Sequence, residues 1–325
     1  MKTLDLIIIG GSAAATTAGI YAARRGLNFK IITKEFGGEV ATSGEIGNWP
    51  GQTHTDGLKL ADDFLAHLKS LNVEPETGIE VEGIKKQADG TFCITTKSDG
   101  LSSAADKMPA LSEQSESKCD YLAKAVIITT GVHQRELNVP GEKEFRNKGV
   151  SYCTTCDGPL FGGKVTAVIG GGNSALESAL MLADISSKVY VINKNAEFKG
   201  DKILLDNLMA KKNAEIIYNA NTVEIFGDQF VTGLKYSDKE DNPQQLTLDG
   251  IFVHIGMVPN SSLIPLEVAK NDFGEVIVNA NCETNVPGLY AAGDVTNVPF
   301  KQIVIAAGQG TIALLSAVQY LNRQK

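Results

Sequence analysis

An internal repeat restricts this fold more than any other feature of the chain. Residues 4–33 and 164–193 both read as strand, glycine-rich turn, helix and strand, with Gly10 to Thr33 and Gly170 to Asn193 equally spaced. Ile7-Ile8-Ile9 and the run from Val165 to Ile169 are short and wholly apolar, as parallel strands are when helices cover both faces. Small residues then recur at helical spacing: Ala15, Ala18, Gly19 and Ala22 in the first copy, Ala175 and Ala179 with Leu182 in the second. Such stripes let a helix lie close on its sheet. The helices are expected over residues 12–25, with Gly26 as a C-terminal cap, and 173–183; returning strands are expected at 29–32 and 189–192. The fold class is therefore α/β.

A glycine turn between strand and helix brings backbone N–H groups close to a pyrophosphate, at a helix end carrying partial positive charge. Two copies imply two dinucleotide-binding, Rossmann-like units. The second copy keeps Gly170, Gly172 and Ala175, with Asn173 and Ser174 between them. The first runs Gly10-Gly11-Ser12-Ala13-Ala14-Ala15, placing Ser12 and Ala15 where glycines usually stand. An acid about 20 residues past the first glycine often holds the adenosine ribose. Both copies lack it, and Thr33 and Asn193 occupy the strand ends.

Cys153-Thr154-Thr155-Cys156 is the one close cysteine pair among five cysteines. It reads as a redox dithiol or as half of a zinc site. No second such pair accompanies it, and His54, His67, His133 and His254 share no ligand spacing, so the redox reading is favoured and no metal is expected. Asp157 directly after the pair can serve thiol chemistry as a proton carrier or simply make the turn before Gly158-Pro159. His254 reads as a strand residue. Cys93, Cys119 and Cys282 are isolated and read as inert thiols of a reducing compartment.

A formal net charge of -8 without a dense Lys/Arg block argues against nucleic acid or an anionic membrane as partner. No uncharged apolar run of about 18 residues occurs, so no transmembrane helix is expected, and the N-terminal apolar run is too short for a signal peptide. A cytoplasmic location follows as the expectation. The Ser-rich stretch 98–118 lacks periodicity and reads as a loop or hairpin insertion.

Cys153-Thr-Thr-Cys156-Asp157-Gly158, Gly170-Gly-Gly-Asn-Ser-Ala175, Asn48-Trp49-Pro50-Gly51 and Ala291-Ala-Gly293-Asp294 together closely resemble the low-molecular-weight thioredoxin reductases. The resemblance covers nearly the whole chain. Around residues 147–152 and 301–306 the chain is also similar to the C-terminal reductase part of the alkyl hydroperoxide reductase flavoprotein subunit, and that protein's N-terminal thioredoxin-like domains are not expected here. The resemblance implies a pyridine nucleotide-disulfide oxidoreductase fold. Its FAD domain would be discontinuous, 1–140 and 273–325, with an inserted NAD(P)H domain at 141–272 that carries the dithiol. Hinges are expected near residues 137–141 and 269–274.

By position, the resemblance implies FAD contacts at Gly10, Gly11, Ser12, Ala15, Gly38, Glu39, Asn48, Asp294 and Gln302. It places the nicotinamide nucleotide at Gly170, Gly172, Asn173, Ser174, Ala175, Asn193, Lys194 and Lys199. Cys156 would face the flavin, Cys153 would attack a partner's disulfide, and Asp157 would be the general acid/base. Glu39 stands where the family usually has glutamine. Asn193-Lys194-Asn195 and Lys199-Gly200 replace the family's His-Arg-Arg and Arg-Ala, so the bidentate guanidinium grip on a 2'-phosphate is missing and the donor is NADPH or NADH. The implied partner is a thioredoxin-like or glutaredoxin-like protein, and the implied assembly a homodimer. Competing readings are a ferredoxin-dependent or oxygen-using relative, a reductase for a peroxiredoxin system, and a non-catalytic redox-sensing flavoprotein.

Overall fold

The computed structural model describes residues 2–43, 45–97 and 119–324; the stretch 98–118, read from sequence as a loop, lies outside the described residues. The chain divides into two compact units. One comprises Met1–Thr42, Asp56–His133 and Val258–Lys325, the other Ser43–Thr55 and Gln134–Met257.

In the first unit Leu4–Ile9 runs parallel to Phe29–Ile32 on one side and to Tyr121–Ile128 on the other. Leu289–Ala291 pairs in parallel with the far edge of Tyr121–Ile128, while Phe92–Thr96 and Val81–Lys86 continue antiparallel. Successive strand residues alternate between two apolar layers. Leu6 and Ile8 pack with Ala15, Ala18 and Ala22 of the helix Ala13–Arg24 and with Ala313, Leu314 and Ala317 of the helix Ile303–Arg323. Ile7 and Ile9 face Val126, Ile128, Leu289 and Val295. The two helices cross closely at Gly310, where a Cβ would lie 2.1 Å from the Ala14 carbonyl oxygen.

Ile303–Arg323 is long and apolar enough to cross a membrane by length and composition, a test that a buried core helix also meets. Its stripe Ala307, Gly310, Ala313, Leu314, Ala317 and Leu321 is buried. The helix covers one face of the sheet in the first unit.

The second unit repeats the plan. Val165–Ile169 is parallel to Lys188–Asn193 and to Gly250–Val253, flanked by Ala214–Tyr218 and Val150–Ser151. The helix Asn173–Ala183 buries Ala175, Ala179 and Leu182 as the stripe requires. An antiparallel meander, Asn221–Gly227, Val231–Ser237 and Pro243–Thr247, completes it. Both expected βαβ units are present with their strands and helices.

The compact units divide at 42/43, 55/56, 133/134 and 257/258. Residues 258–272 belong to the first unit because Ile264 and Val268 enter its core beside Val276. Residues 137–141 are anchored within the second: Leu137 and Asn138 each donate a backbone N–H, at 2.7 Å, to the buried Glu142 carboxylate. Ile225 donates its N–H to the Pro140 carbonyl at 2.9 Å. Ser43–Thr55, which holds Asn48, groups with the second unit, where Glu45–Ile46 lies against the helix Thr154–Asp157.

Cys93 and Cys119 are joined in a disulfide, with Cα atoms 5.4 Å apart, which corrects their reading as isolated thiols. Cys93 is buried on the strand Phe92–Thr96, and Cys119 stands just before Tyr121–Ile128. The Asp120 carboxylate pins the same end by accepting from the Thr96 N–H at 2.8 Å. Closing a loop across a separation of 26 residues restricts the unfolded chain, and Cys93→Ser is expected to lower the unfolding free energy by up to about 3 kcal/mol. Urea midpoints of the two proteins, measured without reductant, check this. Cys282 is free and fully buried, its thiol pushed up to about 11 by desolvation, consistent with an inert thiol.

Candidate active site

The two glycine turns are built alike. Gly10, at φ 127°, donates its N–H to Ile32, and a Cβ there would lie 2.3 Å from the Thr129 carbonyl oxygen. Gly170, at φ 154°, donates to Ile192, and its Cβ would lie 2.2 Å from the His254 carbonyl oxygen. Ser12 and Gly172 are the extended N-cap residues of their helices, and neither helix start is closed by a side-chain hydrogen bond. The N–H groups of both first turns are therefore directed at a prospective anion. Ala15 and Ala175 are fully buried. They let the helices pack closely on the sheets.

Asp294 follows the strand Leu289–Ala291 and the turn at Gly293, which the Gln309 side chain holds by accepting the Gly293 N–H at 2.8 Å. Among the described residues its Oδ1 is buried without a hydrogen-bond partner. Burial pushes its carboxyl up to about 6; Lys301 opposes this and Glu39 adds to it. Lys301 itself is bonded to Glu275 at 2.8 Å and to the Thr296 carbonyl at 2.6 Å. An orphaned buried carboxylate oxygen next to an uncapped glycine turn fits a nucleotide cofactor that offers hydroxyl donors. A Cβ on Gly38, at φ 54°, would lie 3.3 Å from the Ser12 Cβ, and Glu39 begins the short helix Glu39–Thr42. Gln302 is the N-cap of Ile303–Arg323.

Because Asp294 carries a raised folded pKa, the native state binds a proton that the unfolded chain releases between pH 3.8 and about 6. Stability of the FAD-free protein is thus expected to fall as pH rises through that window. Denaturant titrations across it should show the slope, and Asp294→Asn should remove it.

In the second unit, Asn193 is buried, and its carboxamide is spent locally. Nδ2 donates to the Glu197 carbonyl at 2.9 Å and Oδ1 accepts from the Asn195 N–H at 3.1 Å. Asn193 thereby holds the loop that follows its strand. Lys194 and Lys199 are exposed on that loop. Lys199 donates its backbone N–H to Gly171 at 2.7 Å, closing the loop over the glycine turn. Asn173 and Ser174 are exposed on the first helical turn. Asn173 and Asp201 are bonded through Asn173 Nδ2 to the Asp201 carboxylate at 3.1 Å and the Asp201 N–H to Asn173 Oδ1 at 2.6 Å.

Cys153 and Cys156 form a disulfide with Cα atoms 5.3 Å apart. Cys153 is the N-cap of Thr154–Asp157, and its Sγ accepts the Cys156 N–H at 3.3 Å. Ser151, which the sequence reading missed, links the pair to Asp157: its hydroxyl donates to Asp157 Oδ2 at 2.5 Å and accepts the Cys153 N–H at 3.1 Å. Asp157 therefore stands within one hydroxyl of the backbone of the first cysteine. Its position suits a proton carrier for a leaving thiolate. Among the described residues no group of three His, Cys, Asp or Glu is arranged to hold a metal.

Two dinucleotide-type βαβ units on one chain, one of them bearing a cysteine pair oxidised to a disulfide, define a nucleotide-dependent disulfide oxidoreductase of the two-domain α/β class. The pyridine nucleotide-disulphide oxidoreductase family model matches residues 4–310, and the chain belongs to this family. It is 40% identical over 323 residues to the F subunit of the alkyl hydroperoxide reductase of Escherichia coli strain K12. It is 39% identical over 320 residues to a protein of Ferdinandcohnia aciditolerans named NADH dehydrogenase. These alignments take in 99% and 98% of this chain but 59% and 58% of the relatives, so the chain spans about three fifths of their length. The thioredoxin reductase of Streptococcus pyogenes MGAS5005 superposes with a TM-score of 0.87 at 32% identity, covering 99% of both chains. The chain is an oxidoreductase, and the cofactors of this class are FAD and NAD(P)H.

Proposed function

We propose that the chain reduces the disulfide of a thioredoxin-like protein, drawing electrons from a nicotinamide nucleotide through FAD and the Cys153–Cys156 pair. The carrying observation is the Cys153–Cys156 disulfide, tied by Ser151 to Asp157 within the second dinucleotide-type unit. The first unit holds FAD in this reading, with Gly10, Gly11 and Ser12 under its pyrophosphate and Asp294 accepting from its hydroxyls. Glu39 and Gln302, both in that unit, would serve the flavin. Gly170, Gly172, Asn173, Ser174, Lys194 and Lys199 serve the nicotinamide nucleotide.

When bound, FAD supplies the conversion of a hydride into an electron pair that a disulfide accepts. Cys156 receives that pair as its bond to Cys153 breaks. Cys153 then attacks the partner's disulfide as a thiolate, forming a mixed disulfide and releasing one partner sulfur. Cys156 attacks the mixed disulfide, restoring the Cys153–Cys156 bond and freeing the second partner sulfur. Asp157, oriented by Ser151, delivers a proton to each departing partner sulfur in turn and regains one from solvent between the two steps. The partner leaves as a dithiol.

NADH is the favoured donor. Asn193 is buried in its own loop, and the cations exposed there, Lys194 and Lys199, are point charges without a fork for a 2'-phosphate. The name of one relative, NADH dehydrogenase, agrees. Steady-state turnover of a thioredoxin-like disulfide with each nucleotide tests the reading. NADH is expected to give at least about tenfold higher kcat/KM than NADPH, and absence of turnover with either, against reduction by ferredoxin, would replace it. A cytoplasmic homodimer completes the proposal, and sedimentation of the flavin-loaded chain tests the dimer.

A further inference from the structure

We propose that His254 is a positioning residue for the redox pair, holding through the Thr154 hydroxyl the turn that carries Cys153 and Cys156; this rests on the disulfide-reductase reading of that pair. Thr154 sits between the two cysteines and is buried. Its hydroxyl is hydrogen-bonded to Ser178 Oγ and to His254 Nε2, the latter at 2.8 Å. Ser178 belongs to the helix Asn173–Ala183 that starts at the glycine turn. His254 follows the strand Gly250–Val253, donates its N–H to Ile169 at 2.8 Å, and places its carbonyl against Gly170. One hydroxyl thus docks the cysteine turn onto both the helix and the strand end that frame the dinucleotide turn.

The need for such an anchor follows from the length of the turn. Thr154–Asp157 is a four-residue helix held internally by the Cys156 N–H on Cys153 Sγ and the Asp157 N–H on the Cys153 carbonyl at 3.0 Å. A helix this short does not sustain itself. Its geometry, including the N–H that points at Cys153 Sγ, depends on tertiary contacts. Thr154 is the buried side chain of that helix, and its hydroxyl partners are Ser178 and His254. Desolvation lowers the His254 pKa to about 4, so the imidazole is neutral at neutral pH and serves as a fixed hydrogen-bonding group. An N–H held on Cys153 Sγ stabilises the thiolate and hence the reduced pair.

The test uses the flavin-loaded full chain and three variants: His254→Ala, Thr154→Val and Thr154→Ser. The readouts are the equilibrium of Cys153–Cys156 with a glutathione redox buffer and the rate of Cys153 alkylation by iodoacetamide after chemical reduction. His254→Ala and Thr154→Val are each expected to make the pair more readily oxidised and to slow alkylation, by about three- to tenfold, the weight of one buried hydrogen bond. Thr154→Ser, which keeps the hydroxyl, should stay near wild type. The double variant His254→Ala/Thr154→Val should shift no further than Thr154→Val, which already removes the His254 contact together with that to Ser178.

Unchanged equilibrium and alkylation in folded His254→Ala would overturn the proposal, as would additive shifts in the double variant. If His254→Ala does not fold, Thr154→Val against Thr154→Ser decides on the same readouts. Failure of nicotinamide to reduce the wild-type pair would count against the reductase reading instead, since the glutathione equilibrium does not pass through the flavin.

Discussion

Cys156→Ser is expected to abolish turnover of a protein disulfide while leaving reduction of the flavin by nicotinamide intact. Loss on the order of a thousandfold or more is expected, because no other described side chain supplies the second sulfur of the relay. The neighbouring cysteines do not substitute: Cys282 is buried with a raised thiol pKa, and Cys93 and Cys119 are paired with each other in the first unit. The two halves of the pair should also separate by product. In Cys156→Ser, Cys153 still attacks the partner, and the resulting mixed disulfide has no resolving sulfur. It should accumulate as a covalent complex on a non-reducing gel. Cys153→Ser should lose turnover equally and form no such complex. A complex formed by Cys153→Ser instead would reverse the assigned roles.

The second large effect is expected at the repeated turns. Gly170→Ala brings a methyl group 2.2 Å from the His254 carbonyl oxygen at a φ of 154°, and Gly10→Ala does the same at 2.3 Å from Thr129 at 127°. Backbone oxygens cannot swing aside as a flexible side chain can. Each substitution is expected to cost about 3 kcal/mol or more of stability, with loss of the nucleotide served by that unit. Gly172→Ala is the informative contrast. A Cβ there meets nothing within 4 Å, and its φ of -111° suits any residue. Stability should be kept or raised slightly, while the KM for the nicotinamide nucleotide rises, since the added methyl fills space that the pyrophosphate approaches. Thermal unfolding and nucleotide KM on the same variants separate the two kinds of damage. Ser12, at the equivalent position of the first turn, already carries a side chain with an extended backbone.

Much of this architecture was legible because it is local. The apolar run, the glycine turn and the small-residue helical stripe lie within about 30 residues of each other in each copy, and each has its own backbone reason. The cysteine pair is likewise a local spacing. Legibility stopped where a contact depends on the chain returning from far away. Cys93 and Cys119 meet across a sequence separation of 26, with no spacing rule between them. His254 reaches Thr154 across a separation of 100 residues, and in sequence it is merely a histidine in an apolar strand. The loop after Asn193 folds back and takes up its carboxamide, a contact that the strand-end position alone does not announce. Residues 258–272 likewise carry scattered apolar side chains, Ile264 and Val268 among them, that join the first core only in three dimensions. Ser151 was the nearest miss. A serine two residues before the pair could have been flagged as a partner for Asp157, six residues on.

The most direct test is an anaerobic titration of the flavin-loaded wild-type chain with NADH, following flavin absorbance and then alkylating and mapping free thiols. A flavin and a dithiol in series each take an electron pair, so about two equivalents of NADH per chain should be consumed before the flavin is fully bleached, with new thiols at Cys153 and Cys156 and with Cys93–Cys119 still joined. Bleaching complete at one equivalent, with Cys153 and Cys156 still disulfide-bonded, would contradict an electron path through this pair.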